Sequence, residues 1–362
     1  MSFANSYNGK KVLLTGHTGF KGSWMAIWLK SLGAEVYGYA LAPYSDMDNF
    51  VTCNLAAEIH HKEADVRDGE SLKKYFNEVQ PDIAFHLAAQ PLVLLSYVDP
   101  VGTFESNLMG AVNFFEAVRA TPSVKVAINI TSDKCYDNQE WVWGYRENDP
   151  MGGKDPYSAS KGCSELITNS YHHSFFSHGD TALIASGRAG NVIGGGDWAE
   201  NRIVPDYYRA VKAGQKLMIR NPHATRPWQH VLEPLSGYLN LGAKLLNEGR
   251  KFTGGWNFGP EDTSNYSVKE LIDKILLIDS TGGYETPELI QKPHEANLLK
   301  LDISKAVNYL HWHPALTFDE TVEFTVNGYL DDLSGKDILE KRKAQIEKYT
   351  QKAFGKKIAW SQ

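Results

Sequence analysis

A balance of 43 Asp and Glu against 37 Lys and Arg over 362 residues leaves the chain acidic, at net −6, and argues against a nucleic-acid backbone as its partner. With 42% hydrophobic residues it can fill one large core or two smaller ones, and its three cysteines, Cys53, Cys135 and Cys163, have no ligand spacing, so neither a disulfide framework nor a metal is expected. The opening MSFANSYNGKK lacks the apolar centre of a signal peptide, and no run reaches the ~18 apolar residues of a membrane span, so a soluble, cytoplasmic protein is expected.

The first predicted strand, KVLLTG from Lys11, runs into Gly16, Gly19 and Gly22 and then into a stretch expected to be an amphipathic helix. Glycine there permits a tight turn and the close approach of a pyrophosphate, while the helix N-terminus offers free N–H groups and the positive end of its dipole. A dinucleotide is the expected occupant. His17 and Lys21, inside the turn, are expected to add positive charge beside the pyrophosphate, with an exposed surface lysine the alternative for Lys21. The second strand, AEVYGYAL, lacks the acidic residue that many such folds place at its tip for the ribose, and the absence of an arginine clamp at 38–42 favours NAD over NADP. Asp65, ending a short strand in DVRD, is a candidate acceptor for an adenine amino group.

The helix-like SLKKYFNEV and NLMGAVNFFEAVRA alternate with the strand-like DIAFHLAA, VKVAINITS and TALIASGRAGNVIG. Alternation of this kind predicts an α/β fold with a doubly wound parallel sheet of Rossmann type. His86 lies inside an apolar strand and is assigned to packing. The strand at 126–130 leads into Ser132, Asp133 and Lys134, and ligands of open α/β sheets bind beyond the carboxyl ends of strands. Ser132 is therefore placed to hydrogen-bond an alcohol, with Asp133 and Lys134 a candidate acid and base. In YSASK, Tyr157 and Lys161 are i and i+4 on one helix face. A neighbouring ammonium is expected to pull the phenol below its ordinary pKa of ~10, so that tyrosine can take a proton from an alcohol as hydride leaves the same carbon.

After residue 188 Gly, Pro, Arg and Trp become frequent, predicting a second, smaller region of mixed α/β character. The expected division is 1–187 plus about 228–260 for the dinucleotide domain, about 188–227 plus 261–335 for the substrate domain, and 336–362 as a charged, solvated helical tail. No internal repeat is present.

The glycine turn and the Ser132, Tyr157, Lys161 set resemble the extended short-chain dehydrogenase/reductase family over nearly the whole chain. GHTGFKGSW at 16–24, TSDKCYD at 131–137, EWVWGYREN at 140–148, RAGNVIGGGDW at 188–198 and RPWQHVLEP at 226–234 resemble its sugar-nucleotide 4,6-dehydratases. The resemblance implies NAD as a recycled hydride store, held by Gly16, His17, Gly19, Phe20, Lys21, Gly22, Asp65, Val66, Leu87, Ala88, Ala89, Tyr157 and Lys161. It implies CDP-D-glucose as substrate, with Asn191, Arg202, Arg220 and Arg226 on the nucleotide, and Gln90, Ser96 and Tyr97 along the hexose. Trp198 and Trp228 are candidate cleft walls. Catalysis is assigned to Ser132, Asp133 as acid at the C6 hydroxyl, Lys134 as C5 base, Tyr157 and Lys161, with Asp133 and Lys134 expected to form a proton-coupled pair. A homodimer is implied, built from apolar helix faces at 104–119 and 158–172. The rival readings are a sugar-nucleotide 4-epimerase, against which Asp133 and Lys134 speak, a dTDP- or GDP-sugar 4,6-dehydratase, and a catalytically silent dinucleotide module.

Overall fold

The computed structural model describes residues 2–261, 266–286 and 298–362; the stretches 262–265 and 287–297 of the expected substrate domain lie outside the described residues. Seven strands form the central sheet: β1 (Lys11–Thr15), β2 (Glu35–Ala40), β3 (His60–Glu63), β4 (Ile83–His86), β5 (Val126–Ile130), β6 (Leu183–Ala189) and β7 (Gly254–Phe258). Their order is β7-β6-β5-β4-β1-β2-β3, every pair parallel. The order reverses between β1 and β4, so the crevice beyond their carboxyl ends is the binding position of a doubly wound sheet. Strands β4 and β5 are buried along their whole length, which is why they read as unbroken apolar runs. By contrast β3, sequence HHKE, is an edge strand with little burial, and its polarity hides it from a hydrophobicity reading.

Helix α1 (Phe20–Ser31) departs from the expected amphipathic pattern: all eight residues from Gly22 to Leu29 are buried. A helix apolar all round needs cover on its outer side. That cover is the chain's own C-terminus. Helices α2 (Phe318–Ser334) and α3 (Ile338–Gly355) close the fold, and α3 buries Ile338, Arg342, Gln345, Ile346, Tyr349 and Ala353 along one stripe. Tyr349 meets Trp28 of α1 edge-on, and Trp360 stacks on Phe3. The charged segment at 336–362 is thus a packed layer of the protein and not the solvated tail its composition predicts, because its charges sit on one face and its apolar residues on the other.

Two buried ionic groups tie this layer down. Arg342, fully buried, pairs with Asp332 and donates to Asn49 Oδ1 at 2.8 Å and to the Gly328 carbonyl at 3.1 Å. The other Asp332 oxygen accepts the Gly196 N–H at 2.7 Å. On helix α4 (Leu232–Glu248), Glu233 accepts from Tyr349 Oη at 2.7 Å and from the N–H groups of Ala315 and Leu316. Burial nevertheless pushes the Glu233 carboxyl up to about 7 from its ordinary 4.5, against those hydrogen bonds. Folding therefore takes up a proton between pH 4.5 and about 7, and this group's contribution to stability falls as pH rises through that window. Glu233→Gln is expected to flatten the dependence of unfolding free energy on pH between 5 and 7, read from urea curves at stepped pH.

A separate apolar cluster gathers Trp198, Tyr207, Tyr208, Leu217, Trp228, Leu271, Ile275, Phe318 and Tyr329. It lies beside the loop 194–198, whose Gly195 packs against the backbone of Gly328 with no room for a side chain. That loop leads to Asp197 and so to the site.

Candidate active site

Beyond β1 the chain turns at Gly16, where φ is +74° and an added Cβ would stand 2.6 Å from the Ala88 nitrogen. Neither constraint admits another residue. At Gly22 a Cβ would run into the Gly16 carbonyl, so α1 can start this close to the strand only with glycine there. Helix α1 begins at Gly19 with no side-chain cap, and a Cβ at Gly19 would approach only the Gly16 carbonyl, at 3.4 Å. Uncapped N–H groups facing open space are what a pyrophosphate requires, so the turn fits NAD. Leu87, Ala88 and Ala89 follow β4 directly opposite, with Leu87 and Ala88 hydrogen-bonded to Thr15.

His17 is not the cation expected in the turn. Its ring is fully buried against Gly38, Phe50 and His61, and its Nε2 lies 2.7 Å from His61 Nδ1. Burial first, and His61 second, lower its pKa to about 3, so it is neutral and structural. Lys21 is neither an exposed surface lysine nor confined to the pyrophosphate. Its ammonium lies 5.9 Å from the Tyr238 ring centroid, where it feels Asp133, Lys161 and Arg202, and desolvation draws its pKa down to about 8. Asp65 sits beyond β3 as expected, yet Arg67 holds both its oxygens. The Val66 side chain is in the core, and its carbonyl accepts from Asn113. Phe20 packs beside Gly194, and His86, hydrogen-bonded to Thr15 and stacked on Phe114, is a packing residue.

The reactive groups converge beyond β5. Ser132 caps the short turn Asp133–Cys135, its Oγ donating to Asp133 Oδ1 at 2.9 Å and accepting the Lys134 N–H at 3.2 Å. Helix α5 (Pro156–Tyr171), capped by Asp155, carries Tyr157 and Lys161 on its buried face. Burial pushes the Tyr157 phenol up to about 12, and the groups that oppose this are Ser132, by hydrogen bond, and Arg202. The expected depression by Lys161 is not what this geometry gives. The Lys161 ammonium is itself desolvated, to about 8, and its charge acts on Glu165, Cys135 and His86, on the sheet side of the helix. Nor do Asp133 and Lys134 pair: among the described residues Lys134 makes no ion pair, and the Asp133 carboxylate acts on Lys21.

Glu165, one turn beyond Lys161, is a residue that the sequence reading passed over. It accepts from Thr131, from Ser186 at 2.7 Å and from Arg188 at 2.7 Å, and so locks the end of β5 to β6 beneath Ser132. Its i+4 spacing from Lys161 was the available signal.

The residues expected along the substrate divide. Arg202 precedes the helix Ile203–Lys212, and its Nη1 donates to both oxygens of buried Asp197, at 2.9 and 2.8 Å, with its charge felt at Tyr157. Asn191 lies just past β6, Arg220 is exposed after Met218, and Arg226 pairs with Tyr266 in a short antiparallel ladder. Gln90 uses its amide to bind Leu92 N and Thr103 Oγ1, and Ser96 turns its hydroxyl onto the Val93 carbonyl, which leaves neither group directed at a hexose. Tyr97 is exposed. Trp198 and Trp228 are interior residues of the second cluster and not cleft walls.

A parallel sheet with a glycine turn at its switch point and a Ser-Tyr-Lys set beyond β5 defines a dinucleotide-dependent enzyme of the short-chain dehydrogenase/reductase type. The model of the GDP-mannose 4,6 dehydratase family matches residues 13–325, and the chain belongs to that family. It is 48% identical over 353 residues, 95% of this chain and 97% of the other, to the CDP-glucose 4,6-dehydratase of Salmonella typhimurium. A dTDP-glucose 4,6-dehydratase from Xanthomonas campestris is 24% identical over 88% of this chain and 92% of its own. Among solved structures, an epimerase from Methanothermobacter thermautotrophicus superposes with a TM-score of 0.77 at 23% identity, covering 94% of this chain and 96% of that one. The dTDP-glucose 4,6-dehydratase DesIV of Streptomyces venezuelae, with NAD and TYD bound, gives 0.76 at 21% identity over 91% and 99%. These two likenesses establish the fold.

Proposed function

We propose that this chain is an NAD-dependent hydro-lyase that converts CDP-D-glucose to CDP-4-keto-6-deoxy-D-glucose and water. The observation that carries this reading is the 48% identity, end to end, with a CDP-glucose 4,6-dehydratase; the choice of cytidine rests on it. The cluster of Ser132, Asp133, Tyr157 and Lys161 beyond the turn supplies the chemistry.

The Gly16–Gly22 turn would hold the pyrophosphate of NAD, which when bound would supply the hydride acceptor at C4 and the donor at C6. Tyr157 takes the C4 hydroxyl proton while Ser132 holds the oxygen. The ketone so formed acidifies C5–H, and Lys134 is the base there, with Asp133 the acid that protonates the departing C6 hydroxyl. Lys134 is half-buried and has no carboxylate partner among the described residues. Asn191, Arg202, Arg220 and Arg226 hold the nucleotide diphosphate, Arg202 already oriented by Asp197. The cluster around Tyr207 and Leu271 belongs to the sugar-nucleotide domain. Exposed Met109 and Leu166 support a homodimer through the helix faces at 104–119 and 158–172. Three unbridged cysteines are consistent with a cytoplasmic location.

Incubated with CDP-D-glucose and catalytic NAD, the protein is expected to yield a product lighter by one water with no net NADH. An unchanged mass would return the epimerase reading. Lys134→Met is expected to abolish deuterium exchange at C5 and to spare C4 oxidation; persistence of exchange would assign the C5 base elsewhere.

A further inference from the structure

We infer that the buried pair Glu165–Arg188 is a positioning clamp: it grips the turn that carries Ser132, Asp133 and Lys134 by its two ends, at Thr131 and at Tyr136, and so aligns the elimination step. The inference rests on the dehydratase reading and adds positioning residues to it.

Glu165 lies on α5, one turn beyond Lys161, and Arg188 lies on β6; their side chains are 4% and 5% exposed. One Glu165 oxygen accepts from Thr131 Oγ1, on the residue directly before Ser132. The other accepts from Ser186 Oγ and from Arg188 Nη2, each at 2.7 Å. Arg188 Nη1 reaches the far end of the turn, donating to Tyr136 Oη at 2.7 Å and to the Glu147 carbonyl at 2.9 Å. Tyr136 Oη in turn donates to Asn257 Oδ1 of β7 at 2.8 Å, and its ring stacks on Tyr145. A guanidinium can join the two ends because its nitrogens form a planar fork, which a lysine ammonium lacks. Strand β7 leaves room for that fork: a Cβ on Gly255 would stand 2.3 Å from Arg188 Nη2.

Burying two charges is costly, and an apolar pair of similar volume would hold a fold as well. What an apolar pair lacks is direction, and direction is what this turn needs. Asp133 and Lys134 lie between the two anchors, and both must reach a sugar already held at C4; a displacement of about 1 Å can cost such a step roughly 100-fold. The oxidation half has a tie of its own. Asn129 Nδ2 on β5 donates to Ser164 Oγ and Thr168 Oγ1 of α5, at 2.9 Å each, so the helix that carries Tyr157 stays in place when the Tyr136 anchor is lost. The Gly152 N–H still holds the Cys135 carbonyl at 2.9 Å, so the turn loosens without unfolding. The two anchors therefore act on different steps: Thr131 on its neighbour Ser132 and the C4 oxygen, Tyr136 on Lys134 and the elimination.

The test uses Tyr136→Phe and Thr131→Val, each of which removes one hydroxyl and keeps the shape of the side chain, in steady-state and single turnovers of CDP-D-glucose with NAD. Tyr136→Phe is expected to lose roughly tenfold in kcat with KM within about twofold of wild type, and to hold reduced nicotinamide throughout turnover, because oxidation outruns elimination. Its exchange of solvent deuterium into C5 is expected to slow in step with kcat. Thr131→Val is expected to slow the first rise of nicotinamide absorbance by roughly tenfold and to show no standing reduced nicotinamide. A purely structural pair would lower the urea midpoint of both variants and leave kcat and the absorbance traces as in wild type. That result, or a slow Tyr136→Phe enzyme without standing absorbance, would overturn the clamp and leave the dehydratase reading intact. If Tyr136→Phe does not fold, Thr131→Val decides alone, and a wild-type rate of C4 oxidation in it overturns the clamp. A wild-type enzyme that releases no water from CDP-D-glucose would overturn both the clamp and the reading beneath it.

Discussion

Tyr157→Phe is expected to lower turnover of CDP-D-glucose by roughly 10²- to 10⁴-fold while the protein folds and binds NAD as before. The argument runs from local geometry. Asp155 caps α5, accepting from Ser158 N–H at 2.9 Å, and this fixes where the helix starts and hence which residue faces β5. Tyr157 is then buried beside Ser132, with Arg202 acting on it from the opposite element. Removing one oxygen leaves the ring packing in place and takes away the group proposed to receive the C4 proton. The loss should appear in the first step, as nicotinamide absorbance that no longer rises in a single turnover, and the urea midpoint should stay near that of wild type. A variant that still oxidises C4 at the normal rate would move the base to another residue.

Arg342→Met is expected to destabilise the fold by about 3–5 kcal/mol, the range for removing one partner of a buried ion pair. The methionine fills much of the space, but Asp332 is left in the interior with the Gly196 N–H as its remaining polar contact among those described. Burial already holds the Asp332 carboxyl above the usual aspartate range, against the opposing pull of Arg342, so loss of the guanidinium forces the residue either to protonate or to open the layer. Combining Arg342→Met with Asp332→Leu should restore most of the stability, because an apolar pair of similar volume carries no desolvation cost. Urea unfolding of the single and double variants measures both. A single variant within about 1 kcal/mol of wild type would mean that the C-terminal layer contributes little, contrary to its packing on α1. The change also reaches the site, since the same network holds the loop 194–198 that carries Asp197 to Arg202.

The central sheet and its glycine turn were legible because their signals are local. Apolar runs at β1, β4 and β5, the spacing of Gly16, Gly19 and Gly22, and the i, i+4 pair at Tyr157 and Lys161 each follow from period and sterics within a few residues. The edge strand β3 was harder, since HHKE carries no alternation. Where the reading erred, the deciding group lay far along the chain. His17 is neutral because His61, Gly38 and Phe50 enclose it, and Lys21 reaches the catalytic cleft because β5 delivers Asp133 next to the start of α1. Glu165 and Arg188, 23 positions apart, meet only because their helix and strand are adjacent.

By itself the sequence determined the parallel α/β sheet, the turn shaped for a pyrophosphate, and the Ser132, Asp133, Tyr157 and Lys161 set, because backbone geometry and helical period act over short distances. Only the tertiary structure decided which charges survive burial and whom they face: it neutralised His17, brought Lys21 within reach of the Asp133 charge, tied Arg202 to Asp197, and made a charged terminal segment into the cover of α1. Desolvation and charge pairing depend on every element packed around a group, and composition along the chain does not carry that information.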